Sequence, residues 1–273
     1  MNEEQLLGLR KRWYSETMTL LEIVKNMNKR EVAFLEGKTE IPLLTKNASP
    51  VRCVKAYALS YLLNNFHAFS FVEKPYNVYC SVAIFENFPQ FSYAPSIRHE
   101  QQNAFFDTPA FDLCFKGYDM VLDLDNKDIN EAYFDAKKVK KVFDEFGLAY
   151  SIKFSGSRGF HFVIKDENFF PKELTPTEKV SLAELIAKGL KAIENIPSID
   201  ETIYQSTRIL KCAYSLEGYN VALPLSDEQF NKWKLEDMRI DRVYDNVKLM
   251  NRGLLERPKT KDSKEFIDLY GEF

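Results

Sequence analysis

Cysteine is scarce in this chain and widely scattered: Cys53, Cys80, Cys114 and Cys212 form no C-x-x-C pair, and none has a histidine at metal-ligand spacing. The pattern argues against a disulfide-stapled scaffold and against a zinc ribbon or finger. It predicts four reduced thiols buried as small hydrophobes, and no zinc. Histidine is rarer still, and His67 and His99 have no partner in sequence and receive no role. A basic excess is also missing, with 37 Lys and Arg against 40 Asp and Glu and a net charge of −3. Any contact with nucleic-acid phosphate must therefore come from a local patch. No apolar run approaches the length of a membrane span, and the charged stretch 1–12 holds no signal core. A cytoplasmic protein with no membrane partner is expected. Internal repeats and low-complexity tracts are absent. What is abundant is aromatic side chains, 14 Tyr and 22 Phe in 273 residues, which suit both a large core and base stacking.

Hydrophobic periodicity predicts one or two helices over 4–27, a strand over 31–35 turned by Gly37, and a helical stretch over 51–66. A strand over 77–83 follows, closed by Pro89. The central block reads as a Val- and Leu-rich strand over 118–125, then an amphipathic helix over 130–146 with Ala132, Ala136, Val139, Phe143 and Phe146 on one face. Gly147 stands at the position of a C-terminal helix cap. Strands over 149–154 and 160–164 flank a short polar run, and a helix over 177–194 precedes Pro197. A charged tail begins near Arg257. Strands alternating with helices indicate an α/β or α+β domain, and the hairpin around Gly156 makes part of the sheet antiparallel.

Two segments carry chemistry. Asp123-Leu124-Asp125 ends the central strand, and residues i and i+2 of a strand share a face, so both carboxylates emerge side by side. Adjacent carboxylates repel unless they share a cation, and magnesium or manganese prefers such oxygen donors. The bland alternative is a strand end dipping into solvent. The second segment is Ser155-Gly156-Ser157-Arg158-Gly159-Phe160-His161. Two glycines let the backbone turn tightly, and the Ser hydroxyl, the Arg fork and the imidazole form a donor set for phosphate oxygens. The bland alternative here is a flexible hairpin with a surface Arg and a core His. The lysines of the run 137–141 lie on the polar side of their helix and read as a solvated face.

The order of these parts resembles the archaeo-eukaryotic primase superfamily, and closely its replicative primase small, catalytic subunit: a strand ending in D-x-D, one helix, then a strand ending in S-G-x-R-G-x-H. The resemblance implies that Asp123 and Asp125 hold the catalytic Mg2+ or Mn2+, and that Ser155, Arg158 and His161 bind the incoming nucleotide's phosphates. A third family motif is matched by Ile199-Asp200, followed by Arg208-Ile209-Leu210-Lys211 and Tyr214-Ser215-Leu216. It makes Asp200 the third metal carboxylate and sets Arg208 and Lys211 near the phosphates. Looser echoes are the strand over 30–34, the basic Arg52 and the strand over 77–81. Similarity spans roughly 28–225.

The implied fold is an α/β (α+β) primase-like core, with an N-terminal α/β portion (1–115), a motif-bearing, RRM-like sheet portion (116–225) and a C-terminal helical portion (226–273). The implied function is primer synthesis by nucleotidyl transfer, with DNA template, nucleoside triphosphates and a primase large subunit as partners. The alternative within this chemistry is a primase-polymerase of repair or of a mobile element. A metal-dependent nuclease needs no triphosphate clamp, and a non-catalytic nucleic-acid-binding module needs no carboxylates. Two departures stand out. The Cys/His zinc module that many relatives carry between the first two motifs is missing, and Ser215-Leu216 is followed by Glu217-Gly218 where the family often has His.

Overall fold

The computed structural model describes residues 108–244 without a break. It also describes 77–86, 263–272, the strands at 32–35 and 51–54, and a few positions at 4–5, 8–9, 13, 30, 100–101, 104–106 and 261. Most of the helical reading over 4–27, the stretch 55–66, Gly37, His67, Pro89, His99 and the start of the charged tail lie outside the described residues.

Strand β6 (Met120–Asp125) is the middle of the predicted central block. It pairs with β8 (Gly159–Ile164), which pairs with β7 (Ser151–Phe154), which in turn pairs with the short β12 (Pro224–Leu225). Every one of these pairings is antiparallel. One face of the sheet carries Leu122, Leu124, Phe160, Phe162, Ile152 and Phe154, all fully buried. Helix α2 (Ile129–Glu145) covers that face with Ala132, Ala136, Val139 and Phe143, and the Phe143 and Phe162 rings meet edge-on at 5.7 Å. Asp128 caps the helix by accepting from the Asn130 N–H, and Gly147 follows its end with φ +60°. Helix α4 (Pro176–Ile193), opened by a Thr175–Glu178 capping box, packs beside β5 (Phe115–Tyr118) and β6. The opposite face of the sheet carries Asp123, His161 and Lys153 in one row: Asp123 is paired with His161, and His161 with Lys153.

A second sheet has the order β2 (Val51–Val54), β1 (Val32–Leu35), β3 (Asn77–Ser81), β9 (Ile209–Lys211). Residues 51–54 are thus a strand, contrary to the helical period expected from 51 onward. Val-Arg-Cys-Val is short and β-branched, fits either period, and is claimed by antiparallel pairing with β1. The expected strand over 118–125 is also corrected. It breaks at Asp119 into β5 (Phe115–Tyr118), paired with β4 (Ala83–Phe85), and β6. The buried Asp119 carboxylate accepts from Arg30 at 2.6 Å, Lys165 at 3.2 Å and the Asp166 N–H, and so pins the chain where it changes sheets. The remaining elements are α1 (Pro109–Cys114), α3 (Asp166–Phe169), the hairpin β10 (Leu216–Glu217) and β11 (Asn220–Val221), α5 (Asp227–Asn231) and α6 (Lys264–Tyr270).

Candidate active site

Asp123 and Asp125 leave β6 on the polar face as the spacing requires, and both line one pocket. The turn between β7 and β8 forms its rim. The Ser155 hydroxyl oxygen accepts from the Gly159 N–H at 3.2 Å, which closes the turn and leaves the hydroxyl hydrogen free to donate. Gly156 has φ +93°, and a Cβ there would lie 3.2 Å from the Cβ of Glu217. Gly159 permits an even closer approach, because a Cβ at that position would lie 1.6 Å from the Leu124 carbonyl oxygen. Gly156 is therefore required by backbone shape and Gly159 by crowding.

Cations and carboxylates in and beside the pocket stand in pairs. Arg158 Nη2 lies 2.6 Å from Asp125 Oδ2, Arg208 Nη2 3.9 Å from Asp200 Oδ2, and Lys211 Nζ 2.5 Å from Glu217 Oε2. His161 Nε2 stands 3.3 Å from Asp123 Oδ1. Burial and the neighbouring Lys153 ammonium push the His161 imidazole below its ordinary pKa, so it is neutral at pH 7. Among the described residues, His161 Nδ1 and Arg208 Nε are buried without a hydrogen-bond partner. Two orphaned polar atoms in the wall of one pocket are a built-in demand for a polar ligand.

Ser155, Arg158, His161, Arg208 and Lys211 all line the pocket with Asp123 and Asp125, although they come from three separate stretches of chain. Asp200 does not line it. Its backbone N–H donates to the Asp123 carbonyl oxygen at 2.8 Å, while its side chain accepts from Thr202. The loop bearing Asp200 is anchored from below: buried Asp135 of α2 accepts from the Ser198 N–H, and the Ser198 carbonyl accepts from the Asp125 N–H. Among the described residues, no three His, Cys, Asp or Glu side chains are gathered tightly enough to hold a metal ion. Asp123 and Asp125 nevertheless offer oxygen donors side by side, and this suits a hard cation that completes its shell with water and substrate oxygens.

Sequence reasoning missed several residues. Tyr79 and Ser157 line the pocket. Lys153 is buried, does not line the pocket, and donates to the Lys211 carbonyl oxygen. The alternation of β7 gives it the polar face, but its partnership with His161 depends on register. The thiol of Cys80 on β3 meets that of Cys212, the residue after β9. Hydrogen bonding from Cys212 together with nearby Lys153 outweighs burial and brings Cys80 down to about 7. Cys212 is buried as expected, whereas Cys80 and Cys114 are half-buried. The lysines of α2 form a solvated face only in part: Lys137 and Lys141 are exposed, whereas Lys138 and Lys140 are half-buried and pair with Asp135 and Asp227.

The architecture is a mixed helix-and-strand fold of the polymerase kind. Among solved structures it is similar to the polymerase domain from Mycobacterium tuberculosis Ligase D in complex with DNA. The two share 14% sequence identity and a TM-score of 0.51, over 88% of this chain and 89% of that one. No family model matches the chain, and no curated protein matches it. Among the described residues no helix is long and apolar enough to cross a membrane.

Proposed function

We propose that this chain is a template-directed nucleotidyltransferase of the primase type. The observation that carries the reading is the convergence of two adjacent carboxylates, Asp123 and Asp125, with Arg158, His161, Arg208 and Lys211 in one pocket. A primer 3′-hydroxyl oxygen attacks the α-phosphorus of a nucleoside triphosphate, the bond from that phosphorus to the bridging oxygen breaks, and pyrophosphate leaves. Asp123 and Asp125, with Asp200 beside them, would hold Mg2+ or Mn2+, which when bound lowers the pKa of the attacking hydroxyl and stabilises charge on the leaving group. Arg158 and Arg208 grip phosphate oxygens, Ser155 donates its hydroxyl hydrogen to one, and neutral His161, whose single N–H faces Asp123, would turn that N–H to a phosphate once the carboxylate engages a metal ion. Lys211, already paired with Glu217, contributes at the far end.

In the replicative form of this reading the chain is a primase catalytic subunit. A large subunit supplies the contacts for starting a chain, since one triphosphate site serves extension better than initiation. A repair primase-polymerase is the second reading, equally consistent with the fold shared with the polymerase domain of a ligase in complex with DNA. The test is incubation of the purified chain with labelled nucleotides, manganese, and primed or unprimed DNA. Primed extension with weak unprimed synthesis is the expected result. Cleavage of the DNA with no incorporation would replace this reading with a nuclease.

A further inference from the structure

A buried lysine is costly to keep, because its ammonium must leave water and its long side chain must be ordered. Lys153 is only 5% exposed, and it sits in the row Asp123–His161–Lys153 that crosses β6, β8 and β7 on the pocket face. Its ammonium donates across the gap between the two sheets to the carbonyl oxygen of Lys211 on β9. A structural role alone is better served by an apolar side chain, since a buried ammonium with no ion-pair partner keeps its desolvation cost.

The charges around it suggest what the lysine is for. Arg158, Arg208 and Lys211 are each matched by a carboxylate, namely Asp125, Asp200 and Glu217. Among the described residues, no carboxylate is in ion-pair contact with Lys153. Its near neighbours are neutral His161, the Lys211 backbone and the Cys80–Cys212 thiols, with Asp123 on the far side of the imidazole. Burial lowers the pKa of the Lys153 ammonium, and the Cys80 and Cys212 thiols and Asp123 oppose that shift. The pocket wall formed by His161 and Lys211 is thus backed by a lysine that no carboxylate among the described residues contacts.

We infer that Lys153 is a positioning residue of the nucleotide site: it fixes the β9 wall through the Lys211 carbonyl and lends its charge, from behind His161, to the phosphates of a bound nucleoside triphosphate. The inference rests on the nucleotide reading of the pocket given above. A charge acting from behind the wall has a distinctive consequence. Its effect scales with the charge of the ligand, whereas a packing defect weakens every ligand alike.

The experiment compares ATP and AMP binding by calorimetry, with manganese, in the whole chain and in Lys153→Met and Lys153→Gln. Gln keeps a donor for the Lys211 carbonyl but drops the charge. Both variants are expected to lose about tenfold or more in ATP affinity but no more than about threefold in AMP affinity, as a point charge in a poorly screened site requires. The thermal midpoint of Lys153→Met should be unchanged or higher. ATP affinity unchanged in both variants overturns the inference, as does equal loss of ATP and AMP, full recovery by Gln, or failure of both variants to fold. If the unaltered chain binds no ATP, the nucleotide reading itself falls and the inference with it. If the unaltered chain binds ATP and both variants match it, the nucleotide reading stands and Lys153 alone is removed from it.

Discussion

Asp200 is tied to Asp123 by the main chain: its N–H donates to the Asp123 carbonyl oxygen at 2.8 Å. The third acidic position is therefore held beside the first whatever its side chain does. The β-bridge between Leu124 and Ile199 continues the same contact.

Removing the Asp200 carboxylate should accordingly leave the loop in place and affect only chemistry. Asp200→Ala is expected to fold normally while losing most nucleotide incorporation, and Asp123→Ala with Asp125→Ala should lose all of it. Circular dichroism and primer extension measure the two properties. Near-normal extension by the Asp123, Asp125 double variant removes the carboxylates from the reaction.

Arg158→Ala should weaken triphosphate binding by roughly 1.5–3 kcal/mol, the range for a charge-assisted hydrogen bond. Stability should barely change, because the Arg158–Asp125 pair is solvent-exposed and such pairs contribute little. Calorimetry with ATP alongside a thermal melt separates the two, and an unchanged affinity excludes Arg158 from the clamp.

Glu217 occupies Lys211 and places a carboxylate at the pocket. Glu217→Gln should therefore free the ammonium and remove a repulsion, raising triphosphate affinity by roughly fivefold. A fall in affinity would mean that Glu217 itself contacts the ligand.

Asp119 governs acid stability. Burial raises its carboxyl, but Arg30 and Lys165 lower it by more, and its folded pKa lies below the usual value. A carboxyl depressed on folding stabilises the protein above its unfolded pKa, about 4, and that stabilisation is lost as pH falls through that value towards the folded one. Melting temperature should fall below about pH 4. Asp119→Asn should cost about 3–5 kcal/mol at pH 7, because Arg30 and Lys165 lose a buried partner. An Asn variant as stable as the parent contradicts the assignment.

The parts of the fold that sequence foretold are those governed by local periodicity. The strand ending at Asp125, the helix beneath it and the glycine turn at 155–159 each depend on neighbours within a few residues. The strand at Val51–Val54 and the break at Asp119 were misread because each depends on a partner far along the chain, β1 in one case and Arg30 in the other. The same division runs through the site. Asp123, Asp125, Arg158 and His161 are visible as short motifs, whereas Lys153 looks like any lysine of an alternating strand until register sets it against His161. The Lys211–Glu217 pair is likewise invisible, since it forms only when the β10–β11 hairpin folds against Gly156.

Because β9 belongs to the sheet of β1–β3 while the carboxylates belong to that of β6–β8, the pocket is a seam between two hydrogen-bonded sheets, and among the described residues no ladder bond crosses it. A ligand that reaches from Asp123 to Lys211 stitches the seam. Its binding energy then appears as cooperativity of opening: backbone amides of β1 and β3, remote from the reacting atoms, exchange their hydrogens more slowly once the pocket is filled, since the two sheets can no longer open one at a time.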